Sequence, residues 1–198
     1  MGATVNLILV KSGLQDLKDN IKSLLDALII DKVRINEVKY AKDKNGFHWL
    51  EFDLKKYTQQ DLIHKCLRDV EDFFYFQISI SHFKFRDQEV NALIKIDRYQ
   101  DNYYSINLEF NEDEILKSYE VSELLKVEEK IKSTIIHDLR EVTFDYAFAN
   151  QEGEVEYSPE QFYTLDKYPY SLVYTVSPNG VIVEHKSDWY INGLDSRI

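Results

Sequence analysis

Tyr103-Tyr104-Ser105-Ile106-Asn107-Leu108-Glu109-Phe110 alternates strictly between apolar and polar residues from Tyr104 onward. Successive side chains of an extended chain point to opposite faces. Tyr104, Ile106, Leu108 and Phe110 therefore share one face, and Ser105, Asn107 and Glu109 share the other. That is the signature of a strand in a sheet that packs a core on one side and meets water on the other.

Working outward, residues 76–85 and 92–99 also read as strands. His82 continues the face of Phe76, Ile78 and Ile80, so a satisfied core histidine is expected there. Residues 33–40 and 47–54 read as a hairpin around Asn45-Gly46, a dipeptide that accepts the positive φ angles of tight turns. Residues 5–10 form a short apolar run that suits a buried strand. Ser12-Gly13-Leu14-Gln15 then fits a capping box, followed by Leu14, Leu17, Ile21, Leu24, Leu25 and Leu28 at helical spacing. A second helix starts near Thr58, with Leu62, Ile63, Cys66, Leu67, Val70, Phe73 and Phe74 along one side.

Downstream of the opening strand, Asn111 with Glu114 marks another helix start. Val121, Leu124, Leu125, Ile131, Ile135 and Leu139 trace a longer helix. Phe144, Tyr146 and Phe148 alternate as a strand, residues 151–160 form a polar, acidic loop, and residues 168–176 pair with 181–185 around Pro178-Asn179-Gly180. Helices are too few to cross over between every strand pair. The expected fold is α+β, with about three helices packed on a largely antiparallel sheet system. A chain of 198 residues with nine Gly and Pro has little room for a flexible linker, so one domain over 1–198 is expected. A change in charge near residue 100 marks the one candidate subdomain boundary.

That change is large. Residues 1–99 carry 16 Lys and Arg against 15 Asp and Glu, a balance of +1, whereas residues 100–198 carry 8 against 20, a balance of −12. A field of that sign attracts cationic partners and repels nucleic acid and anionic membranes. Lys39, Lys42, Lys44, Lys55 and Lys56 lie near His48 and Trp49, but Asp43, Glu51 and Asp53 interleave with them, which argues against nucleic-acid binding. Cys66 is the single cysteine, so no internal disulfide forms. Neither a signal-peptide core nor a membrane span can be read. A cytoplasmic location is expected, with no membrane partner.

Eight carboxylates fall between 109 and 129: Glu109, Glu112, Asp113, Glu114, Glu120, Glu123, Glu128 and Glu129. Part of this is helix chemistry. Glu112, Asp113 and Glu114 would sit in a first turn, where the helix dipole favours negative charge, and Glu128 can pair with Lys132 at i,i+4. A second group, Glu152, Glu154, Glu156 and Glu160, has no basic residue within it and reads as a solvated loop or a docking face. From Tyr99 onward lie 11 of the 14 tyrosines: Tyr99, Tyr103, Tyr104, Tyr119, Tyr146, Tyr157, Tyr163, Tyr168, Tyr170, Tyr174 and Tyr190. Most suit sheet packing. Tyr157, Tyr163 and Tyr168, however, flank the loop around Pro159, where strand propensity does not account for them, and tyrosine is a favoured interface residue.

Enzymatic signatures are missing. The five histidines show no HExxH or H-x-H spacing, and the six scattered glycines write no phosphate cradle. Cys66, among Leu62, Ile63 and Val70, reads as a buried, inert thiol. No cofactor, no metal and no catalytic residue is assigned.

The runs Glu112-Asp113-Glu114 and 152–160, with the tyrosines beside them, give the chain a general character that resembles the immunity proteins of bacterial polymorphic toxin systems. The resemblance implies a small acidic cytoplasmic α+β protein that neutralises a toxin domain by covering it. The expected function is non-enzymatic capture of a basic protein partner. Its expected contacts are Glu112, Asp113, Glu114, Glu152, Glu154, Glu156, Tyr157, Glu160 and Tyr163. Two other classes stay open: a hydrolase-like enzyme with a carboxylate-lined site, and a structural or assembly subunit.

Overall fold

The structure is a computed structural model that describes residues 3–29, 32–41, 43–70 and 72–187. Lys42 and Tyr190 lie outside the described residues. Nine strands are described: β1 (Thr4–Ser12), β2 (Arg34–Ala41), β3 (Trp49–Asp53), β4 (Tyr75–Phe85), β5 (Gln88–Tyr99), β6 (Tyr103–Asn111), β7 (Tyr146–Gln151), β8 (Leu172–Val176) and β9 (Ile182–Ser187). They form one sheet in the order β3-β2-β4-β5-β6-β1-β7-β8-β9, and every neighbouring pair is antiparallel. The α-helices are α1 (Leu17–Leu28), α2 (Gln59–Asp69), α3 (Glu112–Ile115), α4 (Val121–Ser133) and α5 (Pro159–Phe162), and a π-helical turn over Thr134–Asp138 continues α4. Among the described residues three helices exceed two turns, and α3 and α5 are single turns. The α+β architecture stands, with two short helices beyond the three that periodicity reveals.

One face of the sheet carries the main core. Leu7 and Leu9 of β1, Ile78 and Ile80 of β4, Ile94 and Ile96 of β5, and Ile106 and Leu108 of β6 pack against the apolar stripes of α1, α2 and α4. Leu17, Ile21, Leu24 and Leu28 in α1, Leu62 and Cys66 in α2, and Leu124 and Ile131 in α4 are stripe residues read from the sequence; Val127 joins them unread, whereas Val121 and Leu125, read on the same stripe, are exposed. Thr58 caps α2 in a reciprocal pair with Asp61, which satisfies two otherwise free N–H groups. Cys66 is fully buried, and burial pushes its thiol pKa up.

Among the described residues, the opposite face is covered at one end. Ile8 and Val10 of β1, Tyr146 and Phe148 of β7 and Val173 of β8 meet Phe162 and Tyr170 from the segment between β7 and β8. The Tyr146 and Phe162 rings stack at 3.8 Å, and Phe148 and Tyr170 stack at 3.6 Å. Over β2, β4, β5 and β6 no such cover is found among the described residues.

Three sequence expectations change. His82 is not a core residue: its φ is +59°, the β4–β5 register shifts between Ile80 and Phe83, and the exposed ring pairs with Glu89 at 2.8 Å. A bulge adds one unpaired step and so turns every later side chain to the other face, which buries Phe83 and Phe85 instead. Ser12 and Gln15 do not cap α1. Ser12 stays in β1, where Asp145 captures its N–H (2.6 Å) and its hydroxyl (2.5 Å), and the helix starts after Asp16. Phe144 precedes β7 and packs in the helix-side core, whereas Tyr146 and Phe148 face the other way.

Candidate partner-binding face

The uncovered face follows from the register. Antiparallel partners directly opposite one another share a face. One row across the sheet therefore reads Glu51 (β3), Lys39 (β2), Gln77 (β4), Lys95 (β5), Asn107 (β6) and Ile8 (β1). A second reads Asp53, Glu37, Ser79, Leu93, Glu109 and Asn6, and Asp97 lies opposite Ser105 in a third. The wet face seen in β6 alone thus extends over six strands.

Two hollows lie on it. The first, about 390 Å³, is lined by residues including Glu37, Lys39, Ser79, Glu109 and Glu114. The second, about 400 Å³, includes Asn6, Lys95, Asp97, Asn107, Glu109 and Glu152–Glu154. Glu109 belongs to both. The loop after β7 forms a rim: the Glu152 N–H donates to the Thr4 carbonyl (2.9 Å), and the Gly153 N–H donates to Asn6 Oδ1 (3.2 Å). Gly153 passes so close to the sheet that a Cβ there would meet Asn150 at 3.1 Å.

Positive charge on the face is already occupied. Lys39 contacts Glu37 at 3.0 Å and Glu51 at 3.3 Å, and Lys95 contacts Glu109 at 2.5 Å. Asn6 also donates to Glu109 (3.3 Å) and to Asn107 (3.2 Å). Asp97 differs from its neighbours. Burial pushes its carboxyl up to about 6, against a smaller opposing pull from Lys95. The face is a broad, polar, net-acidic surface with pre-positioned carboxylates, suited to receive cationic groups.

A family model described as Immunity protein 64 matches residues 3–197. The chain belongs to the Immunity protein 64 family. No match was found among curated proteins or among solved structures. Because the match spans the chain from before β1 to beyond β9, the likeness is fold-wide and marks no single site. Among the described residues of this family member, no helix is long and apolar enough to cross a membrane.

The Immunity protein 64 fold divides the residues singled out in the sequence. Glu114, Glu152 and Glu154 come together around the hollows with Glu109. Asp113, Glu156 and Glu160 are exposed, and Glu160 accepts a hydrogen bond from Ser158 (3.0 Å). Glu112 is 2% exposed, and Tyr119 and Gln151 both donate to its carboxylate. Glu123 is likewise buried and receives both arms of Arg86, at 2.7 and 3.2 Å, while Glu128 pairs with Lys132 at 2.9 Å. Tyr157 is half-buried against Tyr170. Tyr163 is exposed, bonds the Asp145 carbonyl at 2.7 Å, and lines a separate hollow with Arg140 and Val181.

Sequence reading missed Glu37, Asp97, Asn6 and Asn107 as members of one surface. The only local signal was the polar half of each alternating strand, and their grouping depends on strand order.

Proposed function

We propose that this member of the Immunity protein 64 family neutralises a toxin in the cytoplasm by laying its uncovered sheet face over a basic surface of that toxin. The observation that carries this reading is the charge of the face. Six carboxylates (Glu37, Asp97, Glu109, Glu114, Glu152 and Glu154) line the two hollows against Lys39 and Lys95, both of which have carboxylate partners within the sheet. A basic cleft presented by the toxin would meet a complementary field, which raises the encounter rate and blocks the cleft once bound. Glu156 and Glu160 extend the acidic margin along the rim segment, with Tyr157 beside them. Glu112, Glu123 and Glu128 act through stability, because their carboxylates are committed inside the fold.

The test is the rate of association with the purified toxin domain. Replacing Glu152, Glu154 and Glu156 together by Gln should lower the on-rate several-fold and leave the melting temperature nearly unchanged. The wild-type rate should itself fall as salt rises, since the screening length shrinks from about 30 Å at 0.01 M to about 10 Å at 0.1 M. An acidic toxin, or association indifferent to salt and to these charges, would sink the reading. A carboxylate-dependent enzyme is separated from a binder by stoichiometry: capture needs one immunity protein per toxin, whereas catalysis protects at far lower ratios.

A further inference from the structure

Toward the turn between β2 and β3, the partner face ends in aromatic rings. Trp49 of β3 lies opposite Ala41 of β2, one step beyond the Tyr40–Phe76 pair that aligns β2 with β4. Tyr75 of β4 lies opposite Asp97 of β5. Ala41 is fully buried although it belongs to the uncovered face, with Trp49 and Tyr75 on its two sides. Both rings reach Gly46 in the turn, where an added Cβ would meet Tyr75 at 3.7 Å and Trp49 at 4.0 Å. Phe47, two residues before Trp49, is 77% exposed, more than any other large apolar residue among those described.

The turn itself does not call for that phenyl ring. The Asp43 carboxylate accepts the N–H groups of Asn45 (3.0 Å), Phe47 (3.2 Å) and His48 (2.8 Å), and the Asp43 carbonyl accepts that of Gly46 (3.1 Å). Gly46 supplies a φ of +70°, and the Trp49 indole donates to the Gly46 carbonyl at 2.8 Å. Position 47 contributes its backbone N–H, which any residue except proline offers. The ring belongs to neither apolar cluster of the described residues. A large apolar side chain held in water on a braced loop is a pre-organised contact. Its backbone is already ordered, and its apolar area is recovered when a partner covers it.

We propose that Phe47 is the anchor that holds the toxin, entering an apolar depression of that partner while Trp49 and Tyr75 pack around the lip of the depression. The proposal rests on the reading above in placing the toxin over this face, and it names the residue that retains the partner once charge has brought it in. Charge selects a basic toxin over a second copy of this chain. Glu51 and Asp53 follow Trp49 on the same face of β3, and Asp97 lies opposite Tyr75. A two-fold pairing of this surface would set those carboxylates against their own copies, whereas a basic partner brings cations to them. Aromatic anchors of this kind dominate binding energy, and their loss is felt in dissociation more than in encounter.

Stopped-flow binding to the purified toxin domain reads the anchor. Phe47→Ala should raise the off-rate about tenfold or more and change the on-rate less than about twofold. The melting temperature should stay nearly unchanged, because the ring is exposed. The effect should persist at about 1 M salt, where the screening length is about 3 Å, and Phe47→Leu should keep most of the grip. Hydrogen exchange of the complex should slow across residues 44–51. If Phe47→Ala leaves the off-rate unaltered while the rim triple substitution still slows association, the anchor falls and the acidic face stands. If Phe47→Ala acts while salt and the rim substitution do not, the anchor stands and the acidic face falls. If none of these matters, both fall. Sedimentation of the free protein as a dimer that Phe47→Ala dissociates would give the ring to a second copy and overturn the proposal.

Discussion

Asp97 shows how one side chain sets a pH dependence. Its carboxyl sits at about 6 in the fold against an ordinary 3.8, so the folded state holds the proton more tightly than the unfolded chain does. Stability from this group is therefore greatest below pH 3.8 and is lost as the pH rises through about 6. A shift of this size corresponds to about 3 kcal/mol at most. Asp97→Asn should accordingly be more stable than the wild type at pH 7 by about 2 kcal/mol, and the two should converge toward pH 4. Urea denaturation at both pH values checks the sign, and an equal or lower stability at pH 7 would contradict it. Glu123 behaves in the opposite sense. The bonds from Arg86 hold its carboxyl below the usual range, so its contribution is present at neutral pH and lost in acid.

At the scale of elements, the segment between β7 and β8 decides whether the face has a rim. Its acidic stretch packs through Val155 and Tyr157 on the second cluster, next to α5. Ser158 and Gln161 form a reciprocal cap there, and Phe162, fully buried, stacks on Tyr146 and Tyr168. Phe162→Ala should destabilise the protein by about 3–5 kcal/mol. It should also speed amide exchange of residues 152–158 more than that of β4 or β5, read by hydrogen exchange. Uniform loss of protection across all strands would mean that the rim has no local stability of its own. The hairpin was readable from the Asn45-Gly46 dipeptide, and α2 from the apolar residues along one side of it. The β4 bulge was not: His82 tolerates a positive φ better than most residues, but the tendency is too weak to mark a bulge, and the shifted register packs Phe83 and Phe85 against Phe110.

At the scale of the whole molecule, the charge boundary near residue 100 does not coincide with a break in the sheet. β5 and β6 pair directly across it from Ala92 to Tyr103, and β1, from the charge-balanced half, lies between β6 and β7 of the acidic half. Fragments 1–99 and 100–198 should therefore not fold separately, and the intact chain should unfold in one transition. Circular dichroism of the fragments and calorimetry of the whole protein test this. An independently folded fragment would restore the boundary.

The sequence by itself determined the strands and long helices in outline, their order and the kind of protein. Period-2 strands, helix-spaced leucines and the −12 balance of residues 100–198 are local or additive properties, and the acidic runs with their tyrosines gave the immunity-protein character that the family match bears out. Only the tertiary structure decided which carboxylates are available. Glu112 and Glu114 are two residues apart, yet one is bonded inside the fold to Tyr119 and Gln151 and the other lines an open hollow with Glu109. Asp97 and Glu154 are far apart in the chain and share a hollow. Strand order brought them together, because a carboxylate's surroundings are fixed by the non-local neighbours it meets across a sheet, and no local pattern encodes those.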